Sequence, residues 1–400
     1  MPLVDNHLAI PGSEYGAVAN QMGYGVVQQV NRGFDPLLHR PYFDKNDRPC
    51  VTVNTGQWTV ERGERLPIKR SMLVRDVIND LGILNPVLLT ANATALRKED
   101  WIEMDRAVLT AARQRLRAWA DLRAANSYGG FNGMAKMTLE YEAMSDPGEA
   151  IVDMDGITEG RTDNPLFKLR SIPLPITHSD FWFSERRLNV SRNSTPLDTT
   201  MAEAAARRVA EKIEKTTIGE ETGVTYGTES AGYGAHDGDS EVYGYTNFTA
   251  RLTKTNFTAM TTTNGPTSYN EILVALTQLY DNRFYGPFML YHSIDWTTYM
   301  NTPFTTSGGN HPGETLRTML LKNPDIMDVR RLDFLDNTQT LIFVQMTADV
   351  ARAINGMDIT TVQWPSIGGL RQNYKVMAIQ VPQLRHDYNG RCGILHGTTS

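Results

Sequence analysis

The sequence contains only two cysteines among its 400 residues, Cys50 and Cys392, and they are far apart along the chain. That number excludes a disulfide scaffold and a cysteine-based zinc site, and it fits a reducing cytosol. No apolar run approaches the roughly 18 residues that a membrane-spanning helix needs, so no membrane segment is predicted. The N-terminus has no basic stretch followed by an apolar one, so we expect no secretory signal.

A strong excess of either charge is also missing. The formal net charge is −6, which argues against a protein whose main task is to bind nucleic acid. The eight histidines include no close pair and no His-Glu-x-x-His motif, so no metal site is expected. A hydrophobic content of 40% and a charged content of 21% are typical of a folded globular protein.

Two segments approach an enzyme motif and fail at one residue each. Residues 308–315, GGNHPGET, have the spacing of a phosphate-binding loop, but Glu314 occupies the position of the required lysine and would repel phosphates. Residues 228–232, TESAG, resemble a nucleophile elbow with Thr228 in place of the first glycine. We therefore predict no catalytic residue and no cofactor site. A cytosolic enzyme without a recognisable motif stays open as an alternative.

Two long helices are predicted. Apolar residues recur every three or four positions over residues 97–125, which favours one amphipathic helix. Residues 196–219 carry a stripe of mostly small side chains, from Met201 and Ala202 to Ile213, and at 1.5 Å per residue the helix would be about 30 Å long. Such a face allows close packing against a sheet or another helix.

The segments around these helices predict an arm and a projecting ribbon. Residues 1–95 are rich in Gly, Pro and Asn and form an extended arm that must lie on other surfaces to be stable. Residues 157–192 contain strand-like pieces interrupted by prolines, which indicates a long two-stranded loop. Because isolated two-stranded ribbons are marginally stable in water, this loop predicts a partner surface.

The ribbon also carries the candidate contact residues. Its basic cluster lacks the interleaved aromatics of a nucleic-acid site, so intersubunit salt bridges are favoured. The contact set is Lys168, Arg170, Trp182, Glu185, Arg186 and Arg187.

Residues 284–300, FYGPFMLYHSIDWTTYM, predict a turn at Gly286 and Pro287 followed by a buried strand and a short helix. Helices and strands alternate in the C-terminal half without regular β-α-β spacing, which indicates an α+β fold.

Three features of the sequence are informative in their order along the chain. They are SIPLPITHSDFWFSERRL followed by PLDTTMAEAAARRVAEKIEKTTIG, the Tyr-Gly-Pro-Phe turn, and the tail YKVMAIQVPQLRHDYNGRCGILHGTTS. With the other segments they resemble the capsid-forming proteins of the Hong Kong 97-type fold, which include tailed-bacteriophage major capsid proteins and encapsulin shells. The resemblance covers roughly residues 97–400 and implies an extended loop, a spine helix, and peripheral and axial domains. The implied division is 1–95 arm, 96–156 first part of the peripheral domain, 157–192 extended loop, 193–267 spine helix and rest of the peripheral domain, 268–375 axial domain, and 376–400 return to the peripheral domain.

The resemblance implies a structural protein that assembles into pentamers and hexamers of an icosahedral head. The head would enclose double-stranded DNA without sequence specificity, after assembly in the cytoplasm of a bacterial host. Portal, scaffolding and decoration proteins are further partners that it allows, and because the sequence begins at Met1 we expect any scaffolding to be a separate protein. An encapsulin-like compartment with an enzyme cargo is the alternative, although the 95-residue arm favours a phage head. In some relatives a lysine of the extended loop crosslinks to an asparagine, and Lys168 lies in the matching loop.

Overall fold

The computed structural model describes the chain over most of its length from residue 40 onward. The described residues are 40, 42–44, 48–61, 64–73, 98–113, 116–144, 152, 154–155, 167–188, 199–220, 242–257, 265–306, 309–335, 339–365, 370–387 and 389–399.

Six helices and sixteen strands are numbered in chain order within these residues. The helices are α1 (Lys98–Arg113), α2 (Ala118–Ala125), α3 (Thr200–Ile218), α4 (Gly265–Asp281), α5 (Trp296–Asn301) and α6 (Leu316–Leu321). The strands are β1 (Tyr42–Phe43), β2 (Pro49–Glu61), β3 (Glu64–Leu73), β4 (Ser127–Tyr128), β5 (Thr138–Met144), β6 (Phe167–Pro173), β7 (Thr177–Ser184), β8 (Leu252–Phe257), β9 (Phe288–His292), β10 (Pro303–Thr306), β11 (Gly309–Thr315), β12 (Ile326–Arg331), β13 (Leu341–Gln345), β14 (Ala351–Pro365), β15 (Arg371–Leu384) and β16 (Ile394–Thr399).

A four-stranded sheet in the order β4-β14-β15-β7 forms the first layer. The long strands β14 and β15 are antiparallel from Ala351 opposite Leu384 to Pro365 opposite Gln372. Strand β7 joins the free side of β15, also antiparallel. Helix α3 packs on β7, β15 and α1. Four of its nine buried residues are alanines, which let the helix axis approach the sheet closely. The helix and its small-residue face are confirmed, except that Met201 is about half exposed.

A five-stranded sheet in the order β12-β9-β13-β16-β8 forms the second layer. All residues of the central strands β9 and β13 are buried, because both faces of the sheet are covered. Phe288 and Leu290 of β9 pack with α4, α5 and α6, whereas Met289 and Tyr291 join the core around α1, α2 and α3. The core that contains Met289 and Tyr291 therefore lies between the two layers. The mixture of helices and sheets confirms the α+β prediction.

The predicted single helix over residues 97–125 is interrupted. Helix α1 ends at Arg113 and α2 begins at Ala118. The apolar periodicity continues across the break, since Ala112, Leu116 and Trp119 are all buried. The physical reason for the break is a distant side chain, Glu214 of α3, whose carboxylate accepts hydrogen bonds from the first backbone amides of α2.

The strand pairing also differs from the predicted ribbon of residues 157–192. Strand β5 pairs with β6, from Thr138 opposite Pro173 to Met144 opposite Phe167, so the ribbon comprises residues 138–144 and 167–173. Strand β7 belongs instead to the four-stranded sheet. The reason is that more buried and more exposed side chains alternate along β7. Its buried Phe181 and Phe183 pack on Tyr374 of β15, with ring centroids 5.3 and 5.6 Å away.

The membership of the two sheets does not follow the boundaries of the predicted segments. Strand β14 was expected in the axial segment 268–375 but lies in the four-stranded sheet. Strand β8, expected in segment 193–267, and β16, expected in segment 376–400, pair in parallel in the five-stranded sheet. These pairings join residues that are more than a hundred positions apart, so contiguous segments of sequence do not correspond to the layers.

The described part of the predicted arm is a three-stranded sheet of β1, β2 and β3. Arg40 connects it to α1, because its guanidinium lies 2.6 Å from Asp105 and 4.5 Å from the centroid of the Trp101 ring. The segment therefore lies against the body of the chain. The remaining residues of the predicted arm, namely 1–39, 41, 45–47, 62–63 and 74–95, lie outside the described residues.

The tight packing at the C-terminal end of α3 predicts that one added methyl group there lowers the stability of the fold considerably. Gly219 ends the helix in a left-handed conformation with φ of 105°, and residues 242–250 close over that end. A Cβ atom on Gly244 would clash with the backbone nitrogen of Gly219 and the carbonyl oxygen of Thr216. We expect Gly244→Ala to lower the free energy of unfolding by about 3 kcal/mol, measured by denaturant titration of the unassembled chain.

Gly390→Ala is the matched control. Gly390 has φ of 80°, but no atom lies within 4 Å of the added Cβ, so only backbone strain of about 1–2 kcal/mol is expected. Equal losses for the two variants would contradict the clash at Gly244.

Candidate intersubunit surfaces

The structure divides the predicted contact residues between two places. Lys168 and Arg170 lie on the ribbon strand β6. Trp182 lies on β7, and residues 185–187 lie in the helical turn directly after that strand. Because β6 and β7 pair with different strands, the set does not form one cluster along a single ribbon.

Both ribbon residues make contacts within their own chain. The backbone of Lys168 stands opposite Ala143 in the β5–β6 pair. The half-buried guanidinium of Arg170 contacts a ring nitrogen of His386, which follows β15. Arg170 therefore holds the middle of the paired strands beside the end of β15, which is a structural role within one subunit.

The edge strand β7 offers a more exposed surface. Trp182 is 51% exposed, and the guanidinium carbon of Arg371 lies 4.4 Å from its ring centroid, a cation–π arrangement. Arg186 and Arg187 are exposed at the end of the same strand. The backbone amide of Glu185 donates to the carbonyl of Leu370 at 2.9 Å, which fixes this corner. An exposed aromatic–arginine pair at a sheet edge is typical of a protein contact.

The turn at Gly286 and Pro287 places β9 in the second layer. The peptide bond between these residues is cis, and Gly286 has φ of 93°. The amide of Phe288 then donates to the carbonyl of Asp325 at 2.8 Å. Beside the turn, Tyr285 is 66% exposed and stacks on Tyr280. The turn is thus built locally, and its tyrosine is available to a neighbour.

A cleft of about 460 Å³ lies where the two layers meet. Helix α2 forms one wall, and β9, β12, α5 and α6 form the others. Its apolar floor includes Leu116, Ala120, Met300 and Val329. Four arginines surround it, namely Arg117, Arg317, Arg330 and Arg331.

Three aspartates hold these arginines in place. The guanidinium of Arg330 contacts Asp121 and lies 2.8 Å from Asp328, which is also 3.5 Å from Arg317. Asp333 lies 2.9 Å from Arg331 and 3.6 Å from Arg117. This network had no signal in the sequence, because its members are up to 216 residues apart and form no local pattern.

The environment changes the proton affinity of several of these groups. Burial raises the pKa of Asp121, although Arg330 and a 3.1 Å hydrogen bond from the Tyr291 hydroxyl act in the opposite direction. Burial also acts to raise the pKa of Asp328, but the hydrogen bonds from Arg330 and from the Val329 amide outweigh it and the pKa is lowered. Burial lowers the pKa of His292, which therefore adds no charge to the cleft near neutral pH.

Glu214 is a buried carboxylate beside this junction. Its two oxygens accept hydrogen bonds from the amides of Ala118 at 2.7 Å and Trp119 at 3.2 Å, at the N-terminus of α2. Burial is the largest effect on this group and raises its pKa to about 7. The sequence contains a signal for this residue, because Glu214 continues the four-residue spacing of Ala206 and Ala210 on the buried face of α3.

The described residues contain no cluster of three or more His, Cys, Asp or Glu side chains placed to hold a metal ion. Nor does any described helix have the length and apolarity needed to cross a membrane. Glu314, which occupies the lysine position of the apparent phosphate-binding loop, contacts Lys322. The motif at residues 228–232 lies outside the described residues.

Comparison with known proteins identifies the family and the fold. Residues 90–397 match the family described as "Family of unknown function (DUF6260)", and the chain belongs to this family. No curated protein matches the sequence. Among solved structures, the chain is similar to the capsid of Myoviridae phage XM1, with a TM-score of 0.50 and 11% identity over 70% of this chain and 91% of that chain.

Two further solved structures are similar at lower scores. One is a virus-like particle from Pyrococcus furiosus, with a TM-score of 0.49 and 14% identity over 74% of this chain and 99% of that chain. The other is the capsid of a native GTA particle, with a TM-score of 0.44 and 12% identity over 71% and 91% of the two chains. The fold is the Hong Kong 97-type capsid fold, as the sequence resemblance implied.

The buried carboxylate of Glu214 predicts a pH dependence. Because its folded-state pKa of about 7 lies above the ordinary value near 4.5, the folded protein binds the proton more tightly than the unfolded chain. The stability from this residue is fully present below about pH 4.5 and is lost as the pH rises through about 7. We expect the difference in unfolding free energy between the native chain and Glu214→Gln to change by about 3 kcal/mol between pH 4 and pH 8.

Buried histidines affect both proteins equally, so they cancel in this difference. Glu211→Gln, on the less buried side of the same helix, is the control for the loss of a glutamate carboxylate from α3. A Glu214→Gln profile parallel to the native profile would show that this carboxylate does not titrate in that range.

Proposed function

We propose that this chain is the major capsid subunit of a tailed bacteriophage and assembles into an icosahedral shell. The observation that carries the proposal is the fold: a small-residue spine helix packed on one sheet, a second sheet layer and a projecting ribbon. The similarity to the capsid of phage XM1 extends over 91% of that chain, so it involves the whole subunit rather than one motif.

Exposed apolar side chains on the single chain support self-association. Val152 and Met154, between the two strands of the ribbon, are 99% and 100% exposed. Trp182 at the edge of the first layer is half exposed. A two-stranded ribbon is marginally stable alone, and exposed apolar side chains at its end favour burial against another surface. A second copy supplies such a surface in a shell.

The two layers correspond, in this proposal, to the two domains of the fold family. The four-stranded layer with α1, α2 and α3 is the peripheral domain, and the five-stranded layer with α4, α5 and α6 is the axial domain. The axial layer, with its turn at Gly286 and Pro287, meets equivalent layers at the centre of pentamers and hexamers. Such contacts are heterologous and close into rings, as a capsomer requires.

The shell would enclose double-stranded DNA in a virion formed in the host cytoplasm. A net charge of −6 suits a container that encloses DNA without binding it tightly. We propose no sequence-specific contact and no enzymatic activity. The same proposal includes portal, scaffolding and decoration proteins as binding partners of the shell. The crosslinking role of Lys168 stays a prediction.

The first test of this proposal is microscopy of the purified chain. We expect closed shells of uniform size by negative stain, built from pentamers and hexamers. Discrete small oligomers at all concentrations would overturn the proposal. Shells that copurify with a single enzyme and contain no nucleic acid would instead favour an encapsulin-like compartment.

The ribbon gives a sharper prediction. Replacing residues 145–166 by a short Gly-Ser linker removes the exposed Val152 and Met154 and leaves the paired strands β5 and β6. We expect the yield of shells to fall at least about tenfold, because the contacts buried by the tip are lost, as measured by sedimentation. The unfolding transition of the unassembled chain should be unchanged, and normal shells from this variant would contradict the role of the ribbon.

A further inference from the structure

The cleft between the layers has more positive than negative charge. Its four arginines face three aspartates, which leaves one net positive charge among the ionised side chains. The arginines remain accessible, because the side chains of Arg117, Arg317, Arg330 and Arg331 are between 40% and 47% exposed. The cleft can therefore accept a further carboxylate at its rim.

The interior of the cleft suits an apolar side chain. The floor formed by Leu116, Ala120, Met300 and Val329 is apolar. One polar group is also available, because the hydroxyl oxygen of Thr297 is buried there and has no hydrogen-bond partner among the described residues. The cleft thus matches a segment that combines apolar side chains with carboxylates.

The tip of the ribbon has this composition. Residues 145–166 contain six carboxylates and one arginine, which gives five net negative charges. Within SDPGEAIVDMDGITEGRTDNPL, the residues Val152, Asp153, Met154 and Asp155 alternate between apolar and acidic. Val152 and Met154 are almost completely exposed, so the folded chain does not cover them.

These observations therefore favour the ribbon of a second copy of the chain as the segment that occupies the cleft. The paired strands β5 and β6 continue for three residue pairs beyond the contact between Arg170 and His386, which corresponds to about 10 Å at 3.3 Å per residue. Opposite net charges on tip and cleft add a long-range attraction between neighbouring copies.

We propose that the ribbon tip of one subunit docks in the arginine cleft of a neighbouring subunit. The apolar side chains of the tip contact the floor, and its carboxylates pair with the arginines at the rim. This inference rests on the proposed function, since it needs copies held side by side in a shell. It adds the landing site of the ribbon and the residues that recognise it.

Proximity labelling tests the docking directly. Shells of a variant with Met154→Cys and Asn301→Cys, the latter at the exposed edge of the cleft, are treated with a short bis-maleimide. The native thiols of Cys50 and Cys392 are buried and should react little. We expect intersubunit dimers and higher multimers on denaturing gels, at least about tenfold above each single-cysteine variant because the two thiols are held close together.

The matched control pairs Met154→Cys with Arg207→Cys, on the exposed face of α3. This pair presents another basic surface, and we expect no crosslink above background. A crosslink at position 207 in place of 301 would overturn the cleft as the landing site. Shells that form normally without the 154–301 crosslink would also overturn the docking, while the proposed capsid function would stand. Failure of the unsubstituted chain to form any shell would defeat both.

Charge exchange tests the recognition itself. Asp155→Arg and Arg317→Glu should each lower the crosslink yield several-fold at low salt, and combining them should restore most of it. Arg317 is suitable because its partner Asp328 keeps the contact with Arg330. Losses that simply add in the double variant would contradict pairing between the tip and the cleft, and binding of DNA phosphates in the cleft would give that same additive result.

Discussion

The close packing of α3 against the four-stranded sheet is the constraint on which the rest of the structure depends. Alanines at positions 202, 205, 206 and 210 leave room for the helix to lie directly on β7 and β15. Larger side chains would separate the helix from the sheet and move Glu214 away from α2. The carboxylate reaches the amides of Ala118 and Trp119 only because the backbone of α3 is so near.

The position of α2 in turn joins the two layers. Glu214 of α3 holds its N-terminus, and one turn later Asp121 contacts Tyr291 of β9 and Arg330 of β12. Hydrogen bonds at two places on α2 therefore connect α3 to strands β9 and β12 of the second sheet. Both places contain a buried carboxylate whose loss leaves unpaired polar groups, so they constrain the relative position of the layers more strongly than exposed ion pairs do.

Local periodicity explains which parts of this arrangement were predictable. The face of α3 repeats every three or four residues, so the helix and its burial follow from the sequence alone. The strand at residues 288–292 was also predicted, from its apolar composition after the turn at Gly286 and Pro287. The prediction was wrong for the single helix of residues 97–125. Its apolar stripe continues through a break, and the break depends on Glu214, about a hundred positions later in the sequence.

Long-range pairing explains the rest of the differences. Strand-like segments on both sides of residue 175 were recognised, but β6 pairs with β5 and β7 pairs with β15. Strand propensity describes a residue's own preference and contains no information on which distant strand stands opposite. The arginine cleft is an extreme case, since Arg117 and Arg331 meet only through the fold. A total charge of −6 likewise concealed an acidic tip and a basic cleft on one chain. In the proposed shell, where copies of this chain lie side by side, such opposite patches specify how neighbours dock even when their sum is small.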